Sequence, residues 1–168
     1  TPPHTKAQHI TPQYIAWLNN RELVQYSEQR HHKHTYETCL EYYKSFIESP
    51  NLFNAVIDAE SNEHVGNINA IFDIYNSVAD IGILIAKGNH GYGFAAWSKM
   101  IEILFNKKKV RKITAGTMEL NKPMIKIFQK SKMSEDHIKR KHFIYNNREI
   151  DAVVYSIFNP KFSKVLHP

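Results

Sequence analysis

Residues 86–97 read AKGNHGYGFAAW, and they place three of the chain's six glycines between Gly88 and Gly93, directly after the run Asp80-Ile81-Gly82-Ile83-Leu84-Ile85. The run before the glycines is apolar and Ile-rich, as a strand is. After them, Phe94, Trp97, Met100/Ile101 and Leu104 recur at helical spacing. Side chains are therefore withheld where a strand gives way to a helix. A side chain at Gly91 or Gly93 would stand between main-chain N–H groups and whatever they hold. A helix entrance also carries about half a positive charge, so the partner that fits is an anion of the size of a pyrophosphate. The stretch is not a Walker A loop, because GxxxxGK[ST] is absent. It is not the dinucleotide fingerprint either, since Ala96 stands at the third glycine position and an antiparallel meander precedes the loop.

That meander extends upstream. Leu52–Asp58, His64–Asp73 and Val78–Ile85 read as three antiparallel strands, separated by Glu60-Ser61-Asn62 and Tyr75-Asn76-Ser77. Before them, Thr11 followed by Pro12 reads as an N-cap and first helical residue, opening a helix of about seven residues through Tyr14, Ile15 and Leu18. A second helix follows Thr35, its stripe of Tyr36, Cys39/Leu40, Tyr43 and Phe46/Ile47 ending at Ser49-Pro50. Downstream of the glycines, Lys112–Met118 reads as a strand set parallel to Val78–Ile85 by a right-handed crossover. Met124, Ile125 and Phe128 mark another helix. The chain closes on a hairpin of His137–Tyr145 with Glu149–Phe158 about Asn146-Asn147. Lys107-Lys108-Lys109 with Arg111 and Lys112 reads as a solvated helix end whose cations suit the helix dipole.

At 168 residues, 42% of them hydrophobic and 12% aromatic, the chain fits one domain with a sizeable core, 1–168. A formal charge of +6 and a pI near 9.3 favour an anionic partner. Neither the charges nor the aromatics form a stripe, so nucleic acid is not the expected one. The lone Cys39 makes no internal disulfide, and TPPHTKAQHI lacks the pattern of a secretory signal. With no apolar run of about 18 residues, the expectation is a soluble, cytoplasmic protein without membrane contact, monomeric or a homodimer.

Two helices, a three-strand meander, a glycine loop and helix, a strand, an asparagine-led helix and a closing hairpin form an order that resembles the GNAT superfamily of acyl-CoA-dependent N-acetyltransferases, in its ribosomal-protein and small-molecule branch. The residues carrying the likeness are Asp80-Ile81-Gly82-Ile83, His90-Gly91-Tyr92-Gly93-Phe94-Ala95, Asn121 leading Asn-Lys-Pro-Met-Ile-Lys-Ile-Phe, and Asp151 and Tyr155 near the end. The resemblance implies an α+β fold of three layers, with a mixed, mostly antiparallel sheet splayed between the family's strands 4 and 5. It implies acetyl-CoA as co-substrate and no metal. Ile83, Leu84 and Ile85 would run beside the pantetheine arm, and Gly91, Tyr92, Gly93, Phe94, Ala95 and Ala96 would hold the pyrophosphate. Asn121 would bond the pantetheine region, with Lys126 and Lys130 at the adenosine phosphates. The bland role of Asn121 is a helix N-cap. Where many members carry a tyrosine that protonates the leaving thiolate, this chain has Phe128. Gly88 and Lys132-Met133 also depart from the family pattern.

Acetyl transfer from a thioester to an amine needs a donor for the developing oxyanion and orientation of both reactants. The Leu84 N–H, freed by a strand bulge, is the oxyanion candidate. Asp80 and Glu28 are the candidates for a base, each also a reasonable salt-bridge partner. In Tyr26-Ser27-Glu28-Gln29-Arg30-His31-His32-Lys33-His34, no Cys or carboxylate pair supports a metal, and a solvated polar loop is the bland alternative. The functional reading is acceptor binding by Glu28, Arg30, His31 and His32, facing anionic or hydroxyl groups. The favoured acceptor is a small primary amine such as an amino sugar or its nucleotide conjugate. The alternatives are a protein N-terminal amine and a noncatalytic CoA-binding module.

Overall fold

The computed structural model describes residues 7–88 and 90–162. The opening residues 1–6, part of the segment weighed as a leader, and Asn89 in the glycine loop lie outside them. Four α-helices and six strands follow the expected order: α1 (Pro12–Asn19), α2 (Tyr36–Ile47), β1 (Leu52–Ile57), β2 (His64–Asp73), β3 (Val78–Ile85), α3 (Tyr92–Asn106), β4 (Lys112–Met118), α4 (Lys122–Lys130), β5 (Ser134–Tyr145) and β6 (Arg148–Phe158). Sheet order is β1-β2-β3-β4-β6-β5. β1–β2, β4–β6 and β5–β6 pair antiparallel, and β3–β4 pair parallel. The mixed, mostly antiparallel sheet is as expected.

Local chemistry sets the element ends. Thr11 accepts from the Tyr14 amide at 3.1 Å, and Pro12 supplies the fixed φ of a first helical turn. Thr35 and Thr38 cap α2 reciprocally, each hydroxyl accepting from the other's amide. Asn146 and Asn147 take φ of 48° and 59°, the left-handed geometry that a two-residue hairpin turn demands. The strands β3 and β4 pair only over Val78–Asp80. Beyond that point β3 runs on to Ile85 while β4 keeps β6 as its partner to Met118.

The chain forms two compact units, one running through Ile71 and resuming at Ile83–Ala96, the other holding Phe72–Gly82 and everything from Trp97. In the first, Ile10, Tyr14 and Leu18 of the α1 region pack with Cys39 and Phe46 of α2 and Phe53 of β1, and Leu84 lies against this cluster. In the second, Phe128 of α4 is 1% exposed, its ring centroid 5.5 Å from that of Trp97 and 5.1 Å from that of Tyr155. The Trp97 Nε1–H points at the Met133 sulfur at 3.4 Å, so the buried indole keeps an acceptor. α3 ends at Asn106 without a basic residue in its last turn, and Lys107, Lys108 and Lys109 follow it exposed to solvent. Among the described residues no helix is long and apolar enough to cross a membrane.

Candidate active site

In the first unit, β3 ends at Ile85 and α3 begins at Tyr92. Gly91 makes the junction with φ of +76°, a conformation L side chains rarely adopt, and a Cβ there would meet nothing within 4 Å. The space on the Cβ side of Gly91 is therefore open. Of the residues assigned to the pyrophosphate, Tyr92, Gly93, Phe94, Ala95 and Ala96 form the first turn of α3, and the Ala95 amide already donates to the Gly91 carbonyl at 3.1 Å, closing that turn.

Both shoulders of the loop are tied down. The Tyr92 hydroxyl donates to the Asp58 carboxylate at 2.5 Å, and Lys87 pairs with Glu63 at 2.6 Å. Asp58 also accepts from the Ser61 and Glu60 amides. These donors, the Ser61 amide first and the Tyr92 hydroxyl next, hold its carboxyl well below the usual range. Sequence reasoning missed this anchor. The only hint was the Asp58-x-x-Ser61 turn pattern, and the two partners lie 34 residues apart.

Ile83, Leu84 and Ile85 are half-buried at the end of β3. A Cβ added to Gly66 on β2 would fall on the Leu84 carbonyl and crowd Ile85. In a regular ladder the carbonyls lie in the plane of the sheet, so a carbonyl in the place of a side chain marks irregular backbone where Gly66 and Leu84 meet, and the register shift that pairs Val56 with Gly66 but Ile57 with His64 puts a bulge in β2 beside Gly66. Gly66 is the residue that allows it.

The acceptor candidates separate. Glu28 faces His31 at 3.1 Å and Arg30 at 3.5 Å, and the Arg30 guanidinium also donates to the Ser27 carbonyl at 2.8 Å. Arg30 and His31 each pair with Glu28 within a 3-10 turn, Glu28–His31, capped by Ser27. His32 instead lines a cavity of about 330 Å3, beside Gln29, Lys33, His34 and Thr38. Tyr14, Leu18, Cys39 and Tyr42 complete its lining. The wall is fixed rather than solvated slack: the Asn19 carboxamide donates to the His34 carbonyl and accepts from the His34 amide, both at 2.8 Å. Burial pushes the Tyr14 phenol, the Cys39 thiol and the Tyr42 phenol up, which keeps all three protonated. Among the described residues no group of three or more His, Cys, Asp or Glu is gathered to hold a metal.

In the second unit, Asp80 lines a separate cavity of about 380 Å3 with Thr114, His137, Lys139 and His142. Its carboxylate accepts from the Thr114 hydroxyl at 2.7 Å. Crowding by protein raises its pKa, opposed by the Thr114 hydrogen bond and the Lys139 charge. The residue still presents surface to solvent, which tempers that desolvation. Asn121 caps α4, accepting from the Met124 amide at 3.4 Å and donating to the Thr117 hydroxyl at 3.0 Å. Lys126 and Lys130 lie exposed on α4. Phe128, in the thiolate-acid position, is core.

A family model described as an acetyltransferase (GNAT) domain matches residues 3–134. No curated protein matches the chain. Among solved structures it is similar to the spermidine N-acetyltransferase of Vibrio cholerae in complex with CoA and spermine, with TM-score 0.85 and 18% identity over 97% of both chains. It is also similar to a ribosomal-protein-alanine N-acetyltransferase from Brucella melitensis, with TM-score 0.79 and 13% identity over 94% of this chain and 99% of that one. A GNAT-family acetyltransferase from Bacillus anthracis aligns with TM-score 0.74 and 20% identity over 86% of each chain. The match to the family model spans most of the sequence, and the chain belongs to the GNAT family of N-acetyltransferases.

Proposed function

We propose that this protein transfers the acetyl group of acetyl-CoA to a primary amine of a small molecule, with residues 1–168 as a single acetyltransferase domain. The observation that carries the reading is the α3 entrance: a left-handed Gly91 with open space on its Cβ side, and a loop anchored by Asp58–Tyr92 and Lys87–Glu63. Such an end binds a diphosphate without a dedicated cation. The Gly91–Ala96 turn would hold the pyrophosphate, and Ile83–Ile85 would lie along the pantetheine arm. Asn121, Lys126 and Lys130 are assigned to the same ligand, with Asn121 also spending its carboxamide on the α4 cap.

The chemistry is direct attack of the neutral amine on the thioester. The Leu84 N–H, near the end of β3 where its carbonyl crowds Gly66, is the proposed oxyanion donor. Asp80 is the preferred base, because its raised pKa brings it toward the working range while Glu28 is engaged by Arg30 and His31. Phe128 offers no proton, so the thiolate takes one from solvent. A buried, protonated Cys39 gives no reason for an acyl-enzyme.

A small acceptor is favoured over a peptide N-terminus because the cavity of about 330 Å3 beside α1 and α2 is the size of a small-molecule site. Release of CoA thiol, measured with acetyl-CoA and a panel of amino sugars, polyamines and N-terminal peptides, tests the reading. Turnover on a small amine supports it. Tight acetyl-CoA binding without turnover on any amine leaves a noncatalytic CoA-binding module.

A further inference from the structure

The cavity floored by Tyr14 and Cys39 has a one-sided electrostatic character. Its titratable lining is Tyr14, Cys39 and Tyr42, all held neutral, with His32, His34 and the ammonium of Lys33. No carboxylate is among the lining residues. Glu28 is taken by His31 and Arg30, and Glu37 and Glu41, exposed on α2, are not among the lining residues. A polyamine entering here would meet cationic and neutral groups alone, and would lose hydration without gaining a counter-charge. An anion gains the Lys33 charge, the imidazoles, the Gln29 amide and the Thr38 hydroxyl.

The wall that carries these groups is preorganised. Asn19 clamps the His34 backbone from both sides, the His34 ring nitrogen reaches the Gln29 carbonyl at 3.3 Å, and Thr35–Thr38 capping fixes the start of α2. The floor is continuous with the proposed reaction centre, since Tyr14, Leu18 and Cys39 belong to the cluster against which Leu84 packs. An acceptor seated in the cavity thus has a charged end at the Lys33 rim and an apolar floor leading toward Leu84.

We infer that this cavity takes an amine acceptor bearing an anionic group, a phosphate, diphosphate or carboxylate, with Lys33, His32 and His34 as its specificity determinants, and that it discriminates against polycations. The inference deepens the acetyltransferase reading and rests on it for the chemistry, though the binding claim stands separately.

Thiol-release kinetics with glucosamine 1-phosphate, glucosamine, a nucleotide-linked amino sugar, an amino acid and spermidine provide the first test. At least one anionic acceptor is expected to exceed glucosamine and spermidine by about tenfold or more in kcat/KM. The phosphate and carboxylate arms identify which anion is used. Lys33→Glu should cut the preferred anionic acceptor by about tenfold or more, leave the KM for acetyl-CoA unchanged and improve spermidine. Calorimetry of glucosamine 1-phosphate and the nucleotide-linked amino sugar, with CoA saturating so that the α3 entrance is filled, reads binding without chemistry. Binding of either that Lys33→Glu abolishes, in the absence of turnover on any amine, would keep the cavity assignment and remove the proposed function. Preference for spermidine, or indifference of both kinetics and binding to Lys33→Glu and to the paired His32→Gln/His34→Gln change, overturns the inference.

Discussion

The Tyr92 hydroxyl donates to the Asp58 carboxylate at 2.5 Å, joining the first residue of α3 to the turn that follows β1. Because the glycine junction lies between Lys87, tied to Glu63, and Tyr92, both of its ends are held, while the Cβ sides of Gly88 and Gly91 stay open. Preorganisation of this kind lowers the ordering cost of ligand binding. Tyr92→Phe and Asp58→Asn are each expected to raise the KM for acetyl-CoA about threefold to tenfold with kcat changed less than about twofold. Steady-state kinetics over acetyl-CoA concentration check this. An unchanged KM in both variants removes the anchor from the account of binding.

Acid stability follows from Asp136. Its carboxylate meets Lys112 at 2.8 Å and His137 at 2.9 Å, and these donors, Lys112 first, hold its pKa below the ordinary 3.8. A depressed acid contributes stability that is complete above the unfolded value and is lost as pH falls through the folded one. Asp136→Asn should therefore lower the urea midpoint at neutral pH. The gap from the native chain should narrow below about pH 4 and close as Asp136 protonates. A gap that persists at the lowest pH points to packing rather than charge.

Phe128 occupies the position where a proton donor was looked for, and it is instead wedged between Trp97 and Tyr155. Truncating a ring that is 1% exposed removes its transfer energy and leaves a cavity, so Phe128→Ala should cost about 3–5 kcal/mol. Denaturant titration measures it. A loss below about 1 kcal/mol would mean that the aromatic triplet contributes little to the unit's core.

Most element ends were legible because the signals are local. Thr11 before Pro12, Thr35 three residues before Thr38, and the Asn146-Asn147 pair act within a few residues of themselves, and each determines its own turn or cap. The glycine loop was legible for the same reason. Contacts across the chain were not. Asp58 with Tyr92, and Asn19 with His34, join residues 34 and 15 positions apart, and no periodicity announces them. The His-rich stretch shows the boundary within one segment. Its composition suggested anion contacts, yet only the fold separates His32, which lines the cavity, from Arg30 and His31, which pair with Glu28.

Asp80 allows stability and catalysis to be pulled apart. Its raised pKa means that the fold favours the neutral acid. The associated stability is full below the ordinary value of 3.8 and is lost as pH rises through the higher folded value. Asp80→Asn removes that cost, so at pH 7–8 the variant's urea midpoint should equal or exceed that of the native chain, with any gain vanishing below about pH 4. If Asp80 accepts the amine proton, kcat/KM should nonetheless fall about tenfold to a thousandfold, less where a water relays the proton. Thr114→Val supplies the sign. Removing the hydroxyl that donates to the carboxylate at 2.7 Å raises the Asp80 pKa further, so the acid limb of the kcat/KM profile should move to higher pH. A profile that stays in place, together with Asp80→Asn activity within about twofold of native, rules Asp80 out as the base. The cavity it shares with Lys139, His137 and His142 would then be a structural feature of the second unit alone.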